Sequence, residues 1–312
     1  MDNIAKPPKN PIQRLAYIGM TTTDATGLCQ FYERALGFRL LTAGRRTERE
    51  LAPMSAAGGA YRVTLGLGDE VIELLQFDRP GQAYPAVTSA SDLRFQHFSI
   101  VVADMALAYQ RLSSIGGWSA ISTDGPQCLP PSSGGVAAFK FRDPDGHPLE
   151  LLTFPEERMP TGWKVRSKAG LFLGIDHSAI SVSDSTRSVA FYEALGLRAV
   201  SRSMNSGCEQ ARLDGLSDPC VEVTALDSRQ ATPHVELLCY RPATHDGRAV
   251  LRHNDVATTR LVFESARSPD TDATEQALID PDGHHLVIVA SVENDNANAG
   301  SPPASAKPES AR

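Results

Sequence analysis

Two histidines open matching segments of this 312-residue chain. His97 begins "HFSIVVAD" (97–104) and His177 begins "HSAISVSD" (177–184), and each segment ends in Asp. A third copy, "YIGMTTTD" (17–24), carries Tyr17 where the others carry histidine. Imidazole is a common metal ligand, so the copies differ in the chemistry they can perform. A carboxylate recurs as well. Glu73 sits in "VIELLQF" (71–77), Glu150 in "HPLELLTF" (147–154) and Glu236 in "HVELLCY" (234–240). Neutral imidazole with carboxylate suits borderline or hard divalent ions: Zn, Ni, Co, Mn or Fe(II). The bland alternative is that His97 and His177 are hydrogen-bonded interior histidines and each Glu a polar residue on a strand. His284 and His285 are adjacent, so on a strand they point to opposite faces and make no metal pair. Cys29, Cys128, Cys208, Cys220 and Cys239 form no CxxC pair. Their odd count fits reduced, structural thiols rather than a disulfide framework.

The elements that must position these side chains repeat too. "FYERALGF" (31–38) returns as "FYEALGL" (191–197), and "FRDPDGHPLELL" (141–152) returns as "LIDPDGHHLVIV" (278–289). The seam between the halves is polar and holds Pro and Gly (155–170). Each half divides again. Alternation in the first strands puts His97 with Ser99, and His177 with Ala179, on one face. The closing Asp of each segment is an expected helix N-cap, and Gly37 and Gly196 are expected C-caps. The unit therefore reads strand, helix, three strands, and it occurs four times. The fourth copy, from 258 to 290, leaves little room for a helix. The "DPDG" runs are turn chemistry, with their carboxylates expected in solvent. "GRRTERE" (44–50) reads as a solvated loop that could also meet an anionic substrate.

Four such units, with "FYERALGF", "IELLQF" and "DPDGHPLELL", resemble the vicinal oxygen chelate superfamily, which includes glyoxalase, extradiol dioxygenases, epimerases and antibiotic-resistance proteins. The resemblance implies an α+β fold in which four βαβββ modules form two cup-shaped sheet domains, the fourth module truncated. The expected spans are 12–155 and 171–292, with a linker at 156–170 and a disordered Pro- and Ser-rich tail at 293–312. Metal ligands in that superfamily come from the first and fourth strands of a module. Carried over, the first-strand positions are Tyr17, His97, His177 and either Thr259 or Arg260. The fourth-strand positions are Glu73, Glu150, Glu236 and Val287. If modules adjacent in sequence pair, neither cup holds two His and two Glu. If the middle modules pair, as fused glyoxalases do, one cup gathers His97, Glu150, His177 and Glu236.

The resemblance implies one divalent ion and a lyase or isomerase of glyoxalase type, acting on a small substrate with adjacent oxygens. Glu150 and Glu236 are the candidate proton carriers, with Glu150 preferred. An extradiol Fe(II) dioxygenase and a non-catalytic binding or resistance protein are the alternatives. Ring cleavage is disfavoured because Lys140 stands where those enzymes carry Tyr. Glutathione is disfavoured because Arg34 of the first copy has no counterpart in the third. Tyr17 and Trp118 could stack on a ligand, or pack in a core. Apolar and charged contents of 41% and 21% suit a globular protein. A net charge of −7 and a pI near 5.6 argue against a nucleic-acid or anionic-membrane partner. No apolar run approaches bilayer length and the N-terminus lacks a signal-peptide core, so a cytoplasmic protein, monomer or homodimer, is expected.

Overall fold

The computed structural model describes residues 11–54, 58–229, 232–241, 251–266 and 275–290. The expected tail at 293–312 lies outside them. The first unit comprises β1 (Ile12–Thr21), α1 (Ala25–Leu36), β2 (Arg39–Arg46), β3 (Ala60–Leu67) and β4 (Glu70–Phe77). The second comprises β5 (Phe95–Val102), α2 (Met105–Ser113), the two-residue β6 (Ser119–Ala120) and β7 (Gln127–Cys128), β8 (Ala137–Arg142) and β9 (Pro148–Thr153). A short helix α3 (Thr161–Arg166) follows in the seam. The third unit comprises β10 (Phe172–Ser181), α4 (Ser185–Ala194), β11 (Arg198–Ser206), an inserted α5 (Cys208–Asp214), β12 (Cys220–Asp227) and β13 (His234–Arg241). The fourth has β14 (Thr259–Ser265), β15 (Glu275–Ile279) and β16 (His285–Ala290), with no helix among its described residues.

Local chemistry explains these elements. In α1 the apolar side chains Leu28, Phe31, Tyr32, Ala35 and Leu36 recur at helical spacing, and all are buried. Asp24 caps the helix by accepting from the Gly27 N–H, and Asp104 and Asp184 do the same for α2 and α4. Gly37 closes α1 in the left-handed region (φ 73°). In α4 the cap is Leu195, and Gly196 follows it at φ 103°, one residue later than expected.

The strands form two sheets, and each draws on both halves of the chain. A seven-stranded sheet runs β15-β16-β14-β1-β4-β3-β2. A nine-stranded sheet runs β11-β12-β13-β10-β5-β9-β8-β6, with β7 paired to β8. The middle units therefore pair with each other through antiparallel β5 and β10, and the outer units pair through β1 and β14. The largest core cluster takes side chains from both sheets and from α1, α2 and α4, so these helices and sheets share one interior.

The "DPDG" carboxylates correct the expectation of solvation. Asp143, Asp280 and Asp282 are buried. Tyr32 Oη of the first unit donates to Asp143 of the second (3.0 Å), and Tyr192 Oη of the third donates to Asp280 of the fourth (3.1 Å). Each Asp also accepts main-chain N–H groups of its own turn. The repeated "FYE" and "DPDG" motifs are thus two ends of one buried hydrogen bond, which joins neighbouring units. Arg46 corrects the reading of its loop: it is buried and bonds the Glu50 carbonyl and Glu275.

Candidate metal centre

Register places the four predicted residues. In the antiparallel pair β5/β10, His97 faces Ala179 and Ser99 faces His177. In the parallel pairs, Ser99 aligns with Glu150 and Ala179 with Glu236. The two halves of the sheet are thus equivalent, and His97, Glu150, His177 and Glu236 line a single cavity of about 230 Å³. His97 Nε2 and His177 Nε2 face each other at 3.3 Å. Glu150 carboxylate oxygens lie 3.7 Å from His97 Nε2 and 3.9 Å from His177 Nε2. Glu236 Oε2 lies 3.6 Å from His177 Nε2. Donor atoms around one ion at about 2.0–2.2 Å sit roughly 3–3.5 Å apart. His97, Glu150 and His177 are therefore within a few tenths of an ångström of that spacing, and Glu236 meets it at His177. His97, Glu150 and His177 form the tightest part of the set, and Glu236 stands at the rim with a more exposed side chain.

Four residues around this set were not predicted. Asp176 accepts from His177 Nδ1 (3.0 Å) and from the indole N–H of Trp163 (3.1 Å). Nδ1–H is thus spent on a carboxylate and Nε2 is turned to the cavity, the arrangement that orients metal-binding histidines. Trp163 lies on α3, so the seam contributes to the site rather than merely bridging the halves. Ser99 donates to Glu150 Oε1 at 2.9 Å. The equivalent residue beside Glu236 is Ala179, and there His234 Nε2 approaches Glu236 Oε1 at 3.6 Å instead. The neighbours were visible as "DH" and "HVE" in the sequence. Only the fold fixes which way each side chain turns. Asp176, His177 and His234 also form a second possible donor group, but it would use the His177 Nδ1 already bonded to Asp176.

Electrostatics separate the two carboxylates. Burial pushes Glu150 up from the usual range, against the pull of Lys140 and His177. Burial acts on Glu236 in the same sense, but His177 and His234 outweigh it and hold it down. Burial would lower His177, yet Glu236, Asp176 and Glu150 raise it to about 9. Burial, with Lys140 and His177, pushes His97 well down, so it presents a lone pair.

The sequence profile of the Glyoxalase/Bleomycin resistance protein/Dioxygenase superfamily matches residues 14–151. The chain carries a domain of this superfamily. Glyoxalase I from Zea mays is similar in fold over 89% of this chain and 92% of its own, with a TM-score of 0.58 and 18% identity. A candidate dioxygenase from Bacillus subtilis is similar over 90% of this chain and 86% of its own, with a TM-score of 0.55 and 15% identity. At such identities the likeness is one of fold. No curated protein matches the chain.

The seven-stranded sheet repeats the register with other residues. Gly19 faces Arg260 as Ser99 faces His177, and Gly19 aligns with Glu73 as Ser99 aligns with Glu150. Arg260, not Thr259, is thus the first-strand equivalent. Its guanidinium is fully buried, and Nη1 donates to Thr21 Oγ1 and the His253 carbonyl. A Cβ on Gly19 would come within 3.2 Å of Arg260 Nε, so this glycine makes room for the cation. Burial, His285 and Arg260 push His253 down to about 3, and burial and Arg260 push His285 down to about 4. Leu51, Met54 and Phe77 pack beside Tyr17 and Val287. Among the described residues, a protein cation, Arg260, stands beside Glu73 at the register position that His177 holds beside Glu150 in the other sheet. Tyr17 belongs to the seven-stranded sheet, and Trp118 packs on Phe139 and Phe141. Arg34 is exposed on α1 and does not line the cavity.

Among the described residues no helix is long and apolar enough to cross a membrane.

Proposed function

We propose that His97, Glu150, His177 and Glu236 hold one divalent metal ion, and that the site works as a lyase or isomerase of glyoxalase type on a small substrate with adjacent oxygens. One observation carries this reading. Two imidazole nitrogens face each other at 3.3 Å beside two carboxylates, and one imidazole is anchored through its far nitrogen to Asp176. When bound, the ion supplies Lewis acidity that polarises a carbonyl and makes the neighbouring C–H acidic. The chain's own residues do the rest. Glu150, raised by burial and held at one oxygen by Ser99, takes the proton from that carbon and returns it to the adjacent one. Glu236, held ionised, offsets the ion's charge. All four residues come from one chain, so no second subunit is needed to complete the site.

Metal analysis of the purified protein, with proton NMR of hydroxyacetone and of the methylglyoxal–glutathione hemithioacetal in deuterium oxide, tests the reading. The expected result is about one metal per chain and deuterium entering beside the carbonyl. Less than about 0.1 metal per chain supports a binding protein instead. Oxygen uptake with catechols supports ring cleavage.

A further inference from the structure

One polar cluster in the cavity wall is unused by that proton transfer. Lys140 on β8 is paired in register with Glu150 on β9 and lines the same cavity. Its side chain is 6% exposed, and Nζ donates to Asp214 Oδ1 at 2.6 Å. Asp214, at the end of the inserted α5, is also buried. It accepts from Gln210 Nε2 (2.7 Å) and from Tyr240 Oη (3.0 Å). Three donors from the cavity wall thus hold this carboxylate.

The ammonium is not saturated. It has three N–H donors, and among the described residues Asp214 is its single hydrogen-bond acceptor. Gln210 lines the cavity, and its Oε1 is buried with no hydrogen-bond partner among the described residues. Both side chains bond Asp214, and a buried donor and a buried acceptor left unmade are costly unless a ligand completes them. A buried Lys–Asp pair is also a weak stabiliser compared with apolar packing. Burial opposes its charge, but Asp214 and Glu150 outweigh that and keep Lys140 a fixed cation rather than a proton donor.

The geometry points to a small hydroxy acid as the substrate class, with its carboxylate received by Lys140 Nζ beside the metal ligands and its hydroxyl able to donate to Gln210 Oε1. This deepens the metal-dependent reading and rests on it. Cavity volume agrees: about 230 Å³ is below the range of about 300–1,000 Å³ that holds drug-sized ligands, and suits an acid of a few carbons.

Glycolate and hydroxyacetone test this, because both carry adjacent oxygens and only glycolate carries charge. Calorimetry on the zinc-loaded protein is expected to give glycolate at least about tenfold tighter binding, the scale of one charge-assisted hydrogen bond. K140Q/D214N removes both charges together, so no buried ion is left unpaired. It is expected to keep its zinc and bind the two probes within about twofold of each other. Equal binding by the wild-type protein overturns the inference whether or not the variant folds. So does a preference for glycolate that survives in the zinc-loaded variant. If the wild-type protein takes up no metal, the reading above fails by itself. Glycolate binding to the metal-free protein then decides the inference: binding lost in K140Q/D214N sustains it, and no binding ends it.

Discussion

Metal uptake should be coupled to the loss of one proton from His177. Without metal, this imidazole sits among Glu236, Asp176 and Glu150 and holds its proton up to about pH 9. Its Nδ1–H stays in place, donating to Asp176, so the proton a metal must displace is the one on Nε2. Expelling it at pH 7 costs about 2.7 kcal/mol, or about 100-fold in apparent affinity relative to pH above 9. His97 contributes nothing to this term, since burial already keeps it neutral. Affinity should rise about tenfold per pH unit from roughly pH 6.5 to pH 8.5 and level off above 9. Below that window it should fall more steeply, as Glu150, raised by burial, also takes up a proton. Titration calorimetry with cobalt(II) at pH 7, in two buffers of different protonation enthalpy, reads the proton count directly. About one proton released per ion is expected. An affinity flat between pH 6.5 and 8.5, with no proton released, would refute the reasoning. In Glu236→Gln the largest raising influence on His177 is gone, so the pH dependence should shift to lower pH along with a loss of affinity.

Trp163→Phe removes the donor that steadies Asp176, and Asp176→Asn removes the charge that orients His177. Asp176→Asn should lose about 10–100-fold in metal affinity by chelator competition, with Trp163→Phe falling less in the same direction. Arg260→Met should leave the metal content unchanged, because the guanidinium serves the other sheet. It strips Glu73 of its principal positive neighbour, so urea unfolding should report a loss of about 3–5 kcal/mol. Tyr192→Phe breaks the bond to Asp280, which keeps its main-chain donors, so a loss of about 1 kcal/mol in the same assay is expected.

Much of the molecule follows from short-range rules that the sequence alone carries. Helix caps at Asp24, Asp104 and Asp184 are local hydrogen bonds, fixed by residues three positions apart. Repeated motifs announced four units, and strand alternation put His97 and Ser99 on one face. The buried roles of Asp143 and Asp280 were not legible, since "DPDG" is a turn wherever it occurs. Burial came from Tyr32 and Tyr192, which approach from other units. What the fold alone decided was partnership. Pairing β5 with β10 brings His97 and His177, eighty positions apart, to 3.3 Å. Pairing β1 with β14 brings Arg260 against Gly19 and sets a buried cation at the position that His177 holds in the other sheet. A strand specifies which side chains share its face, but hydrogen bonds along its edge accept any compatible neighbour. The choice of neighbour rests on the interior shared by both sheets, a property of the whole chain rather than of any segment.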